Sequence, residues 1–340
     1  MAKEKIIIIG SNHEAALELI FVRELEKLGF SVLLYPAQNI FFEYYYKSVF
    51  NKLLYRLGFR SIISKIQNSI KDLVLREHPD KVLVFKGMEV TPDTLQWIRS
   101  KGIQLLNYNP DHPFVFSGRG SGNKNVLNSV KLFDCYFSYD KQTVFELKRM
   151  GVPSNELPFG FDHNAFLVSD LEKESEVLKV CFLGNADKYR VRFINTLAGK
   201  GVQIDVYGEN WGQYKLHQSV SSYGPKYGAE FWRTLHRYAL QLNLLRIHNY
   251  LSHNMRTFDI PGASSIMLAP RTQDHQSFFE ENDEVFLFSD ENEAYHKIKH
   301  VLSLTFEERQ AIRSRARTKA LQKHTYEHRV AAFVQMCKKL

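Results

Sequence analysis

The chain is poor in cysteine and has no long apolar run. Its 340 residues hold only Cys135, Cys181 and Cys337. These are odd in number, far apart and outside any metal-ligand spacing, so they predict reduced thiols in a cytoplasmic protein and argue against a disulfide framework or a cysteine nucleophile. No window approaches the ~18 consecutive apolar residues of a membrane span. The apolar run at 6–9 is too short for a signal peptide and leads straight into Gly10-Ser11-Asn12, which predicts a first buried strand. Asp-x-Asp occurs nowhere, and the His and Cys spacings fail as zinc sites, so neither a bound metal nor another cofactor is expected. There is no Gly-x-x-x-x-Gly-Lys-Ser/Thr loop for ATP chemistry and no Gly-x-Ser-x-Gly elbow for an esterase. Repeats of solenoid length and low-complexity tracts are missing too.

What is present is enough apolar material for two cores: 44% of side chains are hydrophobic, and the length favours two domains. The net charge of +8 is unevenly spread. Residues 41–71 hold six Lys/Arg against one acid, and residues 309–329 hold seven against one. Such patches attract the phosphates of nucleotides, nucleic acid or anionic lipid. Residues 41–71 also carry eight aromatics, with Phe50, Leu53, Leu54 and Leu57, then Ile62, Ile63, Ile66 and Ile70, at helical spacing. One or two amphipathic helices are expected there, either completing the core or meeting an anionic membrane surface. No nucleic-acid-binding motif accompanies the charge, so a nucleic-acid partner is not expected.

Short apolar runs alternate with helical patterns, as a parallel α/β sheet requires. In the first half, strands are expected at 6–9, Ser31–Tyr35, Lys81–Phe85, 104–108 and Cys135–Ser138, with helices at 14–28 and 92–101 between them. The alternation restarts after Leu157-Pro158-Phe159-Gly160-Phe161-Asp162 and an acidic stretch at 169–176. Strands follow at 178–183, 203–207, 265–269 and 285–288, with helices at 190–200, 229–240 and 293–302. The expected domains are 1–162 and 163–325, with a terminal helix over 326–340 packing back on the first. In open α/β sheets ligands bind beyond the carboxyl ends of the strands, so two doubly wound Rossmann-like domains facing across a cleft are expected to carry the chemistry there.

The most informative stretch runs from His253 to Ala269. It sets Arg256 and, three residues on, Asp259 at a predicted helix start, followed by small residues and a strand. Such a start offers N–H groups to a diphosphate, an Arg adds charge-assisted bonds, and a carboxylate can accept two ribose hydroxyls. The same residues also read as a structural Arg–Asp pair before a tight turn. The loop Gly184-Asn185 to Arg190 and Arg192 is expected at a strand end of the same domain; Arg192, ahead of Arg190, is expected to meet a diphosphate there, with a solvated helix start of Lys188, Arg190 and Arg192 as the alternative. On the first domain, His13 after Gly10-Ser11-Asn12, Lys86-Gly87 with Glu89, and Asp111-His112 lie at strand ends. Asp111, His112 and His13 are the acceptor-side catalytic candidates, each with a turn or capping role as the alternative.

The stretch Arg256-Thr257-Phe258-Asp259-Ile260 with its small-residue turn resembles the Arg-x-Phe-Glu stretch of CgeB-like (spore-maturation type) glycosyltransferases, a branch of the retaining GT-B enzymes. The resemblance continues through Arg271 to His275, Phe278 to Glu281 and Val285 to Ser289. It also takes in Phe182-Leu183-Gly184-Asn185, Tyr207 to Trp211, Leu242-Asn243, Leu157 to Asp162 and Asn109 to Pro113. It implies a GT-B fold, with Asp259 on the donor ribose and Asn254, Arg256 and the backbone of Met255 to Thr257 on the diphosphate. The chain has Asp where the family has Glu, and Ser264 and Ser265 near positions where it has Gly.

The function so implied is metal-independent transfer of a sugar from a nucleotide diphosphate sugar to a glycan, lipid-linked or protein hydroxyl. Cell-surface glycan or other polysaccharide synthesis, by an enzyme in the cytoplasm or peripheral at the inner face of the membrane, is the expected setting. A nucleotide-sugar epimerase of the same plan and a non-catalytic nucleotide-sugar-binding protein are the alternatives.

Overall fold

The computed structural model describes residues 3–58, 60–116, 121–166, 175–246 and 251–339. Of the acidic connector at 169–176, residues 169–174 lie outside the described residues. The chain forms two compact units, one of Met1–Pro158 with Arg329–Leu340, the other of Phe159–His328.

The first unit is a sheet of six parallel strands, β1 (Lys5–Ile9), β2 (Ser31–Tyr35), β3 (Lys81–Phe85), β4 (Gln104–Asn109), β5 (Cys135–Ser138) and β6 (Ser154–Glu156), in the order β2-β1-β3-β4-β5-β6. Helices cover both faces of such a sheet, so strands within it carry apolar runs: Ile6 to Ile9 are all buried. Chain order places β2 on one side of β1 and β3 on the other, so the connections diverge between β1 and β3. Phe333, on the helix Tyr326–Cys337, packs its ring against Phe21 and Phe137 at 5.8 and 4.9 Å, closing this core.

The second unit repeats the plan with β7 (Val177–Leu183), β8 (Ile204–Tyr207), β9 (Val220–Tyr223), β10 (Tyr238–Leu242), β11 (Met267–Pro270) and β12 (Phe286–Phe288). Their order is β12-β11-β10-β7-β8-β9, all parallel, and the connections diverge between β7 and β10. Ligand crevices of doubly wound sheets open at this divergence, beyond the carboxyl ends of the strands.

The expected helix over 229–240 is corrected: it runs Gly228–Arg237, and Tyr238 begins β10, a central strand. No Gly or Pro marks the change. Gln241 supplies the stop instead, its Nε2 donating to the carbonyls of Thr234 and Leu235 at 3.0 and 2.9 Å, so a strand residue satisfies the last helical acceptors. The polar strand β6 and the largely exposed β9 have no counterpart in the expected set.

The two basic segments fold differently. Helix Ser61–Glu77 turns Ile62, Ile63, Ile66, Ile70 and Val74 into the core, but helix Val49–Arg56 buries none of its side chains. On helix Phe306–Lys323 the basic residues meet partners: Arg309 and Arg313 grip Glu176, Arg315 pairs with Asp283, Lys319 with Glu284, and Arg317 donates to the Gly262 carbonyl.

Candidate functional site

In the second unit, the loops after β7 and β10 meet where the connections diverge. The Asp187 side chain caps helix Lys188–Gly199, accepting from the Arg190 N–H at 2.9 Å, which turns Arg190 inward. Its Nη1 donates to the Asn185 carbonyl at 3.0 Å and its Nη2 to the Leu244 carbonyl at 2.8 Å, so one guanidinium ties the two loops together. Burial lowers the Arg190 pKa to about 10; Asp187 opposes the shift, and Arg246 and Arg256 add to it. Arg190 stays charged at neutral pH and feels the like charges of Arg246 and Arg256, with Asp187 at 3.5 Å from Arg190 and Asp259 on Arg256 balancing them in part. Repulsion of this kind is relieved by an anion.

Gly184 and Asn185 shape the loop. A Cβ on Gly208 would stand 2.3 Å from the Gly184 carbonyl oxygen, and the Asn185 Oδ1 accepts from the Glu209 N–H at 3.0 Å, so the loops after β7 and β8 are zipped together. Arg192 lies elsewhere: its side chain is 72% exposed, and its partner is Glu291 at 3.9 Å. The structure brings Arg190, not Arg192, to the other cations.

Beyond β10, buried Asn243 accepts from the Asn254 Nδ2 at 2.8 Å, and the Asn254 Oδ1 accepts from the Thr257 N–H at 3.1 Å. The Thr257 hydroxyl sits 2.9 Å from the His275 Nε2, while the His275 Nδ1 faces the Pro270 carbonyl at 2.7 Å. A carbonyl only accepts, so Nδ1 carries the proton and Nε2 accepts from Thr257. Burial holds His275 down to about 4, keeping the ring neutral and this tautomer fixed. The network holds Asn254, Met255, Arg256 and Thr257 in place at the start of helix Arg256–Gly262. Arg256 donates to the Asp259 Oδ2 at 2.7 Å and lies 4.2 Å from the Phe231 ring centroid. Its Nε is buried without a hydrogen bond. Burial pushes Asp259 up to about 6; Arg256 opposes that shift and Asp162 adds to it. The pair is therefore made as spaced, with a donor nitrogen still unsatisfied.

Ser264 takes φ +56°, with its N–H on the Pro261 carbonyl and the Ser265 N–H on the Ile260 carbonyl. This is the helix-ending motif that favours glycine at the left-handed position. The residue at 264 thus terminates the helix, which gives the departure from Gly a local conformational reading.

In the first unit, a cavity of about 230 Å³ opens where β1 and β3 diverge, lined by Gly10, Ser11, His13, Glu18, Lys86 and Glu89 among others. The Glu18 carboxylate accepts from the Ser11 N–H at 2.8 Å and would stand 2.3 Å from a Cβ on Gly10, so a larger residue there would displace Glu18 from this bond. Lys86 holds a left-handed backbone at φ +58° and aims its Nζ at Asp111, 2.6 Å away. A non-glycine residue pays about 1–3 kcal/mol for such a conformation, which marks places where a side chain is held in position. Burial raises Glu89 to about 7; Lys86 lowers it and Glu18 raises it. His13 is an exposed member of the lining. Asp111 is engaged by Lys86. His112 accepts the N–H groups of Phe114 and Val115 on Nδ1, both at 3.2 Å, so that nitrogen serves the turn and is closed to base chemistry.

Two further members emerge from the fold: Arg246 follows a strand that the sequence pattern hid, and Glu18 sits one helical turn beyond the Gly10 loop. Glu89, expected at a strand end with Lys86-Gly87, is singled out further by its burial.

Residues 190–335 match the family described as glycosyl transferase-like. The fold is GT-B. Over 99% of the chain it superposes on all of Anabaena Alr3699/HepE, solved with UDP-glucose, at a TM-score of 0.64 and 12% identity. It matches sucrose-phosphate synthase from Thermosynechococcus elongatus equally well, with a TM-score of 0.64 and 12% identity over 99% of each chain. Among curated proteins, the spore protein CgeB of Bacillus subtilis (strain 168) is 25% identical over 209 residues, covering 56% of this chain and 63% of CgeB, less than two thirds of its length. The GT-B fold thus carries a glycosyl transferase-like region that includes every donor-side candidate from Arg190 to Asp259.

Proposed function

We propose that the protein is a glycosyltransferase that moves a sugar from a nucleoside diphosphate sugar to a hydroxyl acceptor. The observation that carries this reading is the gathering of Arg190, Arg246 and Arg256 beside buried Asp259 where β7 and β10 diverge. The guanidiniums suit a diphosphate, and an ionised Asp259 suits the ribose hydroxyls. In the reaction the acceptor oxygen bonds to the anomeric carbon and the bond from that carbon to the diphosphate oxygen breaks. The nucleoside diphosphate leaves with the electron pair, and under retention its phosphate oxygen takes the acceptor proton. The cations stabilise the negative charge that builds on the leaving group.

The acceptor belongs to the first-unit cavity with Glu18, Lys86 and Glu89, and it is a hydroxyl of a cell-surface glycan, a lipid-linked intermediate or a protein. Transfer without a metal, retention, and action in the cytoplasm at the inner face of the membrane complete the proposal. The HepE–UDP-glucose complex, on the same fold, supports a uridine nucleotide as the first donor to test.

Calorimetry with UDP and UDP-glucose tests the site. Asp259→Ala is expected to weaken binding roughly tenfold or more, the loss of charge-assisted hydrogen bonds. Affinity of the parent should fall as the pH drops through about 6, where Asp259 takes up a proton and loses its accepting charge. Unchanged affinity in Asp259→Ala overturns the site. A new nucleotide sugar formed without acceptor would replace transfer by epimerisation, and tight binding without turnover over a broad acceptor panel would leave a binding protein.

A further inference from the structure

The first unit carries a surface that the transfer reading does not use. Helices Ala37–Lys47 and Val49–Arg56 form a hairpin, closed by the Asn51 Nδ2 donating to the Tyr44 carbonyl at 2.8 Å. Its inner face is aromatic: Phe41 meets Tyr55 edge-on at 5.1 Å, and Tyr45 lies 5.7 Å from Tyr55. Its outer face is an apolar stripe open to solvent, with Val49 at 82%, Phe50 at 65%, Leu53 at 51% and Leu57 at 66% exposure. Tyr46 and Phe42 continue the stripe at helical spacing. A short helix that exposes its whole apolar stripe is stable in water only at a cost that another apolar phase would remove.

The charge around the stripe is mostly positive, Glu43 being the one acid within residues 41–71. From residue 44 to residue 71 there are six Lys/Arg and no Asp or Glu. Among the described residues, none of these six is in an ion pair: Lys52 lies over Tyr46 at 4.7 Å, Arg60 over Tyr55 at 6.0 Å and Lys71 over Trp97 at 5.7 Å. Beneath the hairpin is a second cavity, of about 370 Å³, walled by Phe41, Phe42, Tyr45, Tyr46 and Tyr55 and edged by Lys52 and Arg56. Glu89 lines both this cavity and the one at the β1/β3 divergence. An apolar stripe flanked mainly by cations, beside an aromatic cavity with basic edges, is complementary to an anionic lipid: chains against the stripe, phosphate on Lys52 and Arg56.

We propose that the stripe Val49, Phe50, Leu53 and Leu57, with Lys52 and Arg56, is a docking surface for an anionic lipid membrane. Where the transfer reading above also holds, on which this consequence rests, the acceptor hydroxyl is lipid-borne. It enters through the aromatic cavity towards Glu89.

The test is co-sedimentation of the full chain with vesicles of phosphatidylcholine alone and of equal parts phosphatidylcholine and phosphatidylglycerol. Binding is expected to the anionic vesicles only and to weaken as salt is raised. Phe50→Glu with Leu53→Glu, both at exposed positions, should abolish it. Lys52→Ala with Arg56→Ala should lower the partition constant roughly thirtyfold, at about 1 kcal/mol per surface cation. Equal recovery with and without anionic vesicles overturns the proposal. So does self-association that is lost in Phe50→Glu with Leu53→Glu, because the stripe would then be covered by a second copy. A thermal shift with UDP is read on each protein: no shift in any of them counts against the donor site, while unchanged sedimentation of the variants counts against the lipid surface.

Discussion

Two stretches of this chain are equally basic on paper and opposite in structure. Along helix Phe306–Lys323 the cations are consumed internally. Arg313 is 1% exposed and donates to Glu176 and to the Tyr238 carbonyl, both at 2.8 Å, at the start of two central strands. Along residues 44–71 the cations stand beside rings and exposed aliphatic side chains with no carboxylate to meet. Charge density therefore does not separate a structural cluster from a binding surface. The position of acids elsewhere in the chain does, and Glu176 lies 133 residues from Arg309.

The largest effect that follows is in the buried cluster. Arg313→Ala leaves Glu176 with one cation fewer in a nearly dry environment and strands the Tyr238 carbonyl, so a loss of about 3–5 kcal/mol is expected. Urea unfolding of the second unit, followed through Trp211 and Trp232 in a Trp97→Phe background, measures it. A loss under about 1 kcal/mol would break the comparison, because the helix charges would then be as dispensable as the exposed ones. One turn along, Arg315 meets Asp283 at 2.8 Å with both side chains about half exposed. Arg315→Ala is expected to cost about 0.2–1 kcal/mol, less at high salt. The ratio of the two losses sharpens the claim that burial, and not charge, makes this region structural.

What could be read from the residues divides along the same line. Continuous β-branched runs such as Ile6 to Ile9 announced the buried parallel strands, because a strand covered on both faces has no other composition. Strand β10 was hidden: its helix stop comes from the Gln241 side chain folding back, a contact without a local signature. At the candidate donor site the Arg256–Asp259 spacing was legible, since residues three apart share a helix face. Arg190 and Arg192 could not be ranked from sequence, because the choice depends on the Leu244 carbonyl across the divergence point, a residue 54 positions away. Glu89 and Glu18 owe their shifted protonation to burial, which no short motif encodes.

The smallest expected effect is the most discriminating. Lys52 and Arg56 neither donate to a carboxylate nor support the core, and each sits in a field of like charge. Lys52→Ala with Arg56→Ala should therefore change stability by no more than about 0.5 kcal/mol, measured on the first unit through Trp97. Relief of repulsion offsets the lost contacts of Lys52 with the Tyr45 and Tyr46 rings. A loss of several kcal/mol would mean that these cations hold the hairpin together, and the exposed stripe would then be a by-product of folding. Near-zero stability change together with the loss of anionic-vesicle binding would place the two basic regions in different classes: one spent on the fold, the other left free for a partner.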